Sequence, residues 1–70
     1  MQEIRALITG SMWRVLVQEG DSVSGGDEVA IIESMKLEIP VEAEEGGTVA
    51  RIHVREGDAV AEGQLLLEID

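Results

Sequence analysis

Glu33-Ser34-Met35-Lys36-Leu37-Glu38-Ile39 joins two strand-like runs at a dipeptide. Val29-Ala30-Ile31-Ile32 leads in, and Leu37, Ile39 and Val41 alternate with Glu38, Pro40 and Glu42 on the way out. Two such runs meeting at two residues predict a tight β-hairpin with Met35 and Lys36 at its turn. The turn chemistry is wrong for ease of folding. Favoured two-residue hairpin turns need positive φ, which Asn-Gly or Asp-Gly supply. A residue with a Cβ held there costs about 1–2 kcal/mol. A local rule broken at one point marks a working site, and Lys36 is the only lysine in the chain.

The hairpin sits at the centre of an internal repeat. Shifted by 37 places, Gly10, Arg14, Val17, Glu19, Gly20, Asp21, Val23, Gly26 and Ile32 fall on Gly47, Arg51, Val54, Glu56, Gly57, Asp58, Val60, Gly63 and Ile69. Two copies are too few for a solenoid, so the repeat predicts a closed domain with pseudo-two-fold symmetry. In each half a glycine precedes a strand through Trp13-Val15-Val17 or Ala50-Ile52-Val54. A Glu-Gly-Asp turn follows, then a short extended piece at Val23 or Val60, a glycine and a second strand. Short alternating runs between dense turn signals predict an all-β fold, and no segment sustains a helical period.

Register follows from the turn. Ser34 is expected opposite Leu37, Ile32 opposite Ile39 and Ala30 opposite Val41. Alternation then puts Ala30, Ile32, Leu37, Ile39 and Val41 on the inner face. Glu33, Glu38, Pro40 and Glu42 fall outside, with Glu33 directly across from Glu38, a repulsive pair that Lys36 is expected to offset. Val29 and Ile31 are left without a place on the inner face. The repeat makes the N-terminal strand (Ile4, Ala6 and Ile8 inward) the mate of the strand leaving the lysine turn. Both termini are therefore expected together, at the end opposite Lys36.

Seventy residues suit a single domain over 1–70, burying about 60% of the unfolded chain's surface. The core is drawn from Val, Ile, Leu, Met and Ala, leaving little room for an enclosed pocket. The formal net charge of −10 argues against nucleic acid and anionic membrane surfaces as partners. No apolar run is long enough to cross a bilayer, and the sequence contains no cysteine, which suits a reducing, cytoplasmic setting. Trp13 is expected in the core. His53 has no second histidine or cysteine with which to form a metal site or a triad and reads as incidental. The Glu-Gly-Asp segments lack the ligand spacing of a calcium loop and read as turns.

At Glu33-Ser34-Met35-Lys36-Leu37-Glu38-Ile39-Pro40 the chain resembles biotinyl domains, the biotin carboxyl carriers of biotin-dependent carboxylases, whose motif is typically Ala-Met-Lys-Met or Ser-Met-Lys-Met. The similarity runs the length of the chain. It includes Glu19-Gly20-Asp21-Ser22-Val23 and its repeat, Gly46-Gly47-Thr48-Val49, and a tryptophan near Trp13 as in small free-standing biotin/lipoyl attachment proteins. Leu37 stands where the family usually has Met, and Ala6-Leu7-Ile8-Thr9 replaces a segment in which many members carry proline. Lipoyl domains share the fold but usually flank their lysine with Asp and Ala, a pattern that Met35 and Leu37 do not match.

The resemblance implies a flattened β-barrel of two four-stranded antiparallel sheets, often called a barrel-sandwich hybrid. It implies a carrier and not an enzyme, with biotin in amide linkage to Lys36 and with Glu33, Ser34, Met35, Leu37 and Glu38 as the surrounding recognition hairpin. The implied partners are a biotin protein ligase working through biotinyl-adenylate, a biotin carboxylase, and a carboxyltransferase whose acceptor is an acyl-CoA or 2-oxo acid. Alone, the carrier is expected to be a monomer. Two alternatives remain open at this point: a lipoyl carrier of a 2-oxo acid dehydrogenase complex, and an unmodified assembly or adaptor module of the same fold.

Overall fold

A computed structural model describes residues 2–70; Met1 of the expected 1–70 domain lies outside them. Eight strands follow in order: β1 Gln2–Arg5, β2 Gly10–Val15, β3 Ser22–Val23, β4 Glu28–Ser34, β5 Leu37–Glu42, β6 Gly47–Ile52, β7 Ala59–Val60 and β8 Leu65–Ile69. They form two four-stranded sheets, β5-β4-β2-β7 and β1-β8-β6-β3, with every pairing antiparallel. This is the expected all-β architecture. The 37-residue shift carries one strand order onto the other. Each sheet takes two strands from each half, so neither half can close a sheet alone.

Reciprocal hydrogen bonds lock the halves together. The Val15 N–H donates to Glu56 Oε2 at 3.0 Å, and the Ile52 N–H donates to Glu19 Oε2 at 3.1 Å. The glutamates of the two Glu-Gly-Asp segments thus satisfy strand N–H groups in the opposite half. The aspartates close their own turns: Asp21 Oδ2 accepts from Gln18 N–H at 2.8 Å and Asp58 Oδ2 from Arg55 N–H at 2.9 Å. Gly20 and Gly57 supply the positive φ, 96° in each, that such turns demand.

The core joins repeat mates: Met12 with Val49, Val23 with Val60, Ala30 with Leu67 and Ile32 with Ile69 are all buried. Ile4 and Ala6 are buried as expected, and Ile8 packs against the core. Four β-bulges, in two symmetry-related pairs, correct the simple alternation. Glu28 pairs with Glu42 and Ala30 with Val41, so Val29 between them has no partner on β5. It turns inward with Ala30 and is 0% exposed, which places one of the two surplus apolar residues; Ile31, between Pro40 and Arg14, stays half-buried on the outer face. The mate behaves alike: Arg5 pairs with Leu65 and Ile4 with Leu67, and Leu66 is buried.

The second pair of bulges corrects the expected phase at Trp13 and Ala50 alone, while Val15, Val17, Ile52 and Val54 keep the inward phase. Met12 pairs with Ile32 and Arg14 with Ile31, leaving Trp13 as the extra residue. Ala50 is its mate, between Val49↔Ile69 and Arg51↔Glu68. The buried positions are therefore Met12 and Val49, and not Trp13 and Ala50. Trp13 is displaced from the expected core to the outer face, 38% exposed, with the Arg14 guanidinium 4.8 Å from its ring centroid.

The ends of the chain lie far from the lysine turn. Gln2 pairs with Ile69, and the Gln2 carboxamide accepts from Glu44 N–H at 2.7 Å and donates to Glu45 O at 3.1 Å. Glu44 stands seven residues beyond Leu37, about 23 Å at the usual strand rise. Both ends of the described chain are thus at the base of the hairpin that carries Lys36.

Candidate functional site

The β4–β5 hairpin keeps the expected register: Ala30↔Val41, Ile32↔Ile39, Glu33↔Glu38 and Ser34↔Leu37. Pro40 lies on β5, an edge strand, where its missing N–H costs the sheet nothing. Met35 and Lys36 have φ of 52° and 66°, and they are the non-glycine residues recorded with positive φ among those described. Two successive central residues at positive φ define the type I′ hairpin turn. The chain accepts this conformation without Asn or Gly because β4 and β5 pair on both sides of it.

Burial falls away toward the tip. Ile32 and Val41 are buried and Ile39 is half-buried, whereas Leu37 is 65% and Met35 90% exposed. Leu37 was expected to face the core. Its side chain has the inward phase but stands beyond the end of the barrel, where no opposite sheet covers it. Lys36 is exposed. Its expected offset of the Glu33–Glu38 pair does not take the form of an ion pair: the salt bridges among the described residues are Arg5–Glu3 and His53–Glu68. His53 is accordingly less incidental than its sequence context indicated, with Nε2 2.8 Å from Glu68 Oε1 on the neighbouring strand β8 of the same sheet.

Five expected recognition residues (Glu33, Ser34, Met35, Leu37 and Glu38) are brought together around Lys36 by the turn itself. The site is a protrusion. A groove of about 200 Å³ between β1 and β5, lined by Ile4, Leu7, Val41 and Glu44 among others, is not lined by any of them. A primary amine on a rigid, uncovered turn fits covalent attachment of a carboxylic acid and entry into another protein's active site. Sequence reasoning missed the clasping role of Glu19 and Glu56, and the outward position of Trp13. The 37-residue match of Glu19 to Glu56 was the available signal for the first.

Replacing Met35-Lys36 by Asn-Gly tests the strain directly. Asn tolerates the left-handed region and Gly has no Cβ to clash, while the exposed Met35 side chain gives up little burial. Met35→Asn, Lys36→Gly is expected to stabilise the domain by about 1–2 kcal/mol, raising Tm by about 5–15 °C. A thermal melt showing no gain would mean that the native turn is not strained.

The biotin/lipoyl family model, described as biotin-requiring enzyme, matches residues 3–69. The chain belongs to the biotin/lipoyl attachment family. This biotin/lipoyl domain is 48% identical over 62 residues to the biotin/lipoyl attachment protein of Bacillus subtilis, covering 89% of this chain and 85% of that one. It is 41% identical over 68 residues to a biotinylated protein TB7.3 homolog of Mycobacterium leprae, covering 97% and 96%. Among solved structures, it superposes on the urea carboxylase of Kluyveromyces lactis with a TM-score of 0.93 and 38% identity, over 99% of this chain but 6% of that one. The lipoyl domain of the Azotobacter vinelandii 2-oxoglutarate dehydrogenase complex matches at a TM-score of 0.83 and 28% identity, over 100% and 96%. The biotin/lipoyl domain is a small carrier without catalytic activity of its own, homologous to the biotinyl regions of carboxylases. Among the described residues, no helix is long and apolar enough to cross a membrane.

Proposed function

We propose that this chain is a biotin carboxyl carrier, with biotin held in amide linkage on Lys36 Nζ. The observation that carries the reading is the turn: the sole lysine is held at positive φ beside an exposed Met35 where Asn-Gly would be easier. Amide formation at a lysine amine needs an activated carboxyl group and a base to accept the proton that the nitrogen loses. Attachment therefore falls to a separate biotin protein ligase that takes up the proton. When bound, biotin supplies a ring nitrogen that accepts and releases a carboxylate group. The residues of this chain hold the anchoring nitrogen at the end of a stiff two-stranded arm, away from the body of the domain. Tethering raises the effective concentration of the carried group at two active sites in turn, those of a biotin carboxylase and a carboxyltransferase. We take the acceptor to be an acyl-CoA, in line with the propionyl-CoA and acyl-coenzyme A carboxylase relatives, although the carboxyltransferase selects it. The reading also makes the free carrier a cytoplasmic monomer.

A lipoyl carrier is the second reading, favoured by the likeness to a lipoyl domain over the whole chain. Biotin and lipoate ligases would meet the same backbone, so discrimination falls to side chains at the tip, by attraction and by exclusion. Met35 and Leu37 differ from the usual lipoyl flanks and are both exposed. Intact mass after treatment with the two ligases of one host tests the choice. Wild type is expected to gain the biotinyl increment faster, and Met35→Asp, Leu37→Ala to lower that rate and raise lipoylation. Because Leu37 stands in solvent, its truncation is expected to cost at most about 0.5 kcal/mol, so the kinetics report on recognition. Faster lipoylation of wild type would replace biotin by lipoyl; no increment from either ligase would favour an unmodified module.

A further inference from the structure

The internal repeat gives each outer sheet face a reference on the same backbone. On the sheet that carries Lys36, Ile31 pairs with Pro40 on one side and Arg14 on the other. Trp13 stands at the bulge beside Arg14, and Leu16 is 48% exposed. The two-fold sends Pro40, Ile31 and Leu16 to Glu3, Glu68 and His53, and Trp13 to Ala50. His53 and Glu68 touch at 2.8 Å, so the repeat sets Leu16 beside Ile31. One face thus presents a continuous apolar strip where its structural twin presents charge. Strand geometry cannot be the cause, since it is common to both.

We propose that the outer face of β2, β4 and β5 is a docking surface for the biotin carboxylase, with a contact face on that partner that is apolar at its centre and rimmed by Lys and Arg. Exposed apolar strips with a polar rim mark interaction sites. Glu28, Glu33, Glu38 and Glu42 edge this one, all exposed, with Arg14 as its cation. A second copy of the chain would bring two such acidic rims together, and like-charge juxtaposition opposes that pairing. The ligase must receive Nζ itself, so its contacts centre on the tip. Ile31 lies five residues back from Lys36, about 16 Å, a setting suited to a partner reached by the extended arm. So small a patch makes a transient contact, as a carrier serving two active sites requires. The identity of this partner rests on the carrier reading.

The test uses the full biotinylated chain as the substrate of the biotin carboxylase from its own host. Leu16→Ser, Ile31→Thr disrupts the strip, and His53→Ser, Glu68→Thr places the same residue types on the twin face. The first variant is expected to raise KM for the carrier about tenfold with kcat within about twofold, and the second to leave both unchanged. Neither should alter the ligase's kcat/KM, and thermal melts check that both fold. Wild-type KM should also rise with added salt as the acidic rim is screened, a readout that requires no variant. Equal KM for wild type and the strip variant overturns the proposal. An equal loss at the ligase would reassign the face to the ligase, and wild-type dimers that the strip variant dissolves would reassign it to a second copy. Failure of the ligase to biotinylate wild type would bring down the carrier reading, and this partner with it.

Discussion

Lys36→Arg folds as the wild type does and takes no biotin from a biotin ligase. Arginine keeps the positive charge and the long stem, and like lysine it has a Cβ at the left-handed turn position, so the strain at φ 66° is unchanged. The side chain is exposed, and surface substitutions of this kind stay within about 0.5 kcal/mol. Chemistry separates the two. A guanidinium stays protonated throughout the working range and offers no amine lone pair for amide formation. The expected loss is complete, below the detection limit of a streptavidin blot, against an unchanged circular dichroism melt. Signal on the arginine variant would move the attachment site off the hairpin and remove the reason for its strained turn.

Gly10→Ala is expected to destabilise the domain by about 1–3 kcal/mol, an overpacking cost that lowers Tm by about 5–20 °C. Gly10 pairs with Val60 of β7 and lies beneath the arm that carries Lys36. A Cβ there would run into the Glu33 carbonyl oxygen and come 2.9 Å from Ile32 Cγ2. The first obstacle is backbone and cannot rotate aside. Glu33 stands two residues before the turn, so relief would require β4 to shift just below the lysine tip. Gly47 meets the same geometry against the Asp70 carbonyl oxygen and Ile69 Cγ2, and Gly47→Ala should cost a similar amount. Denaturant midpoints within about 0.5 kcal/mol of wild type for both would show that the close approach is not maintained in solution.

Much of the molecule was legible in its sequence because several local signals agree. Glu-Gly-Asp occurs twice, 37 residues apart, and that spacing implies paired halves related by a pseudo-two-fold; the resemblance to biotinyl domains added the two matching sheets. The two-residue gap between Ile32-Glu33-Ser34 and Leu37-Glu38-Ile39 sets a hairpin register that the structure reproduces pair for pair. The oddity of Met35-Lys36 at a turn that prefers Asn-Gly singled out the lysine. Each of these depends on backbone stereochemistry or on short-range spacing, which the chain carries residue by residue.

Tertiary structure decided the rest. Strict alternation buries Trp13 and leaves Val29 outside, and the fold does the reverse through bulges at 13, 29, 50 and 66. A bulge is selected by the need to bend a strand around a closed core, and an aromatic or a valine at that position does not announce it. Leu37 has the phase of a core residue but lies past the edge of the opposite sheet; burial depends on where the facing layer ends, which period-two reasoning does not contain. The Glu19 and Glu56 clasps need a partner N–H from 33 and 41 residues away. What the sequence alone determined is the repeat, the hairpin and the lysine at its tip. Which side chains end up inside, and which face is left apolar toward solvent, was fixed only when two interleaved halves had to close around one core.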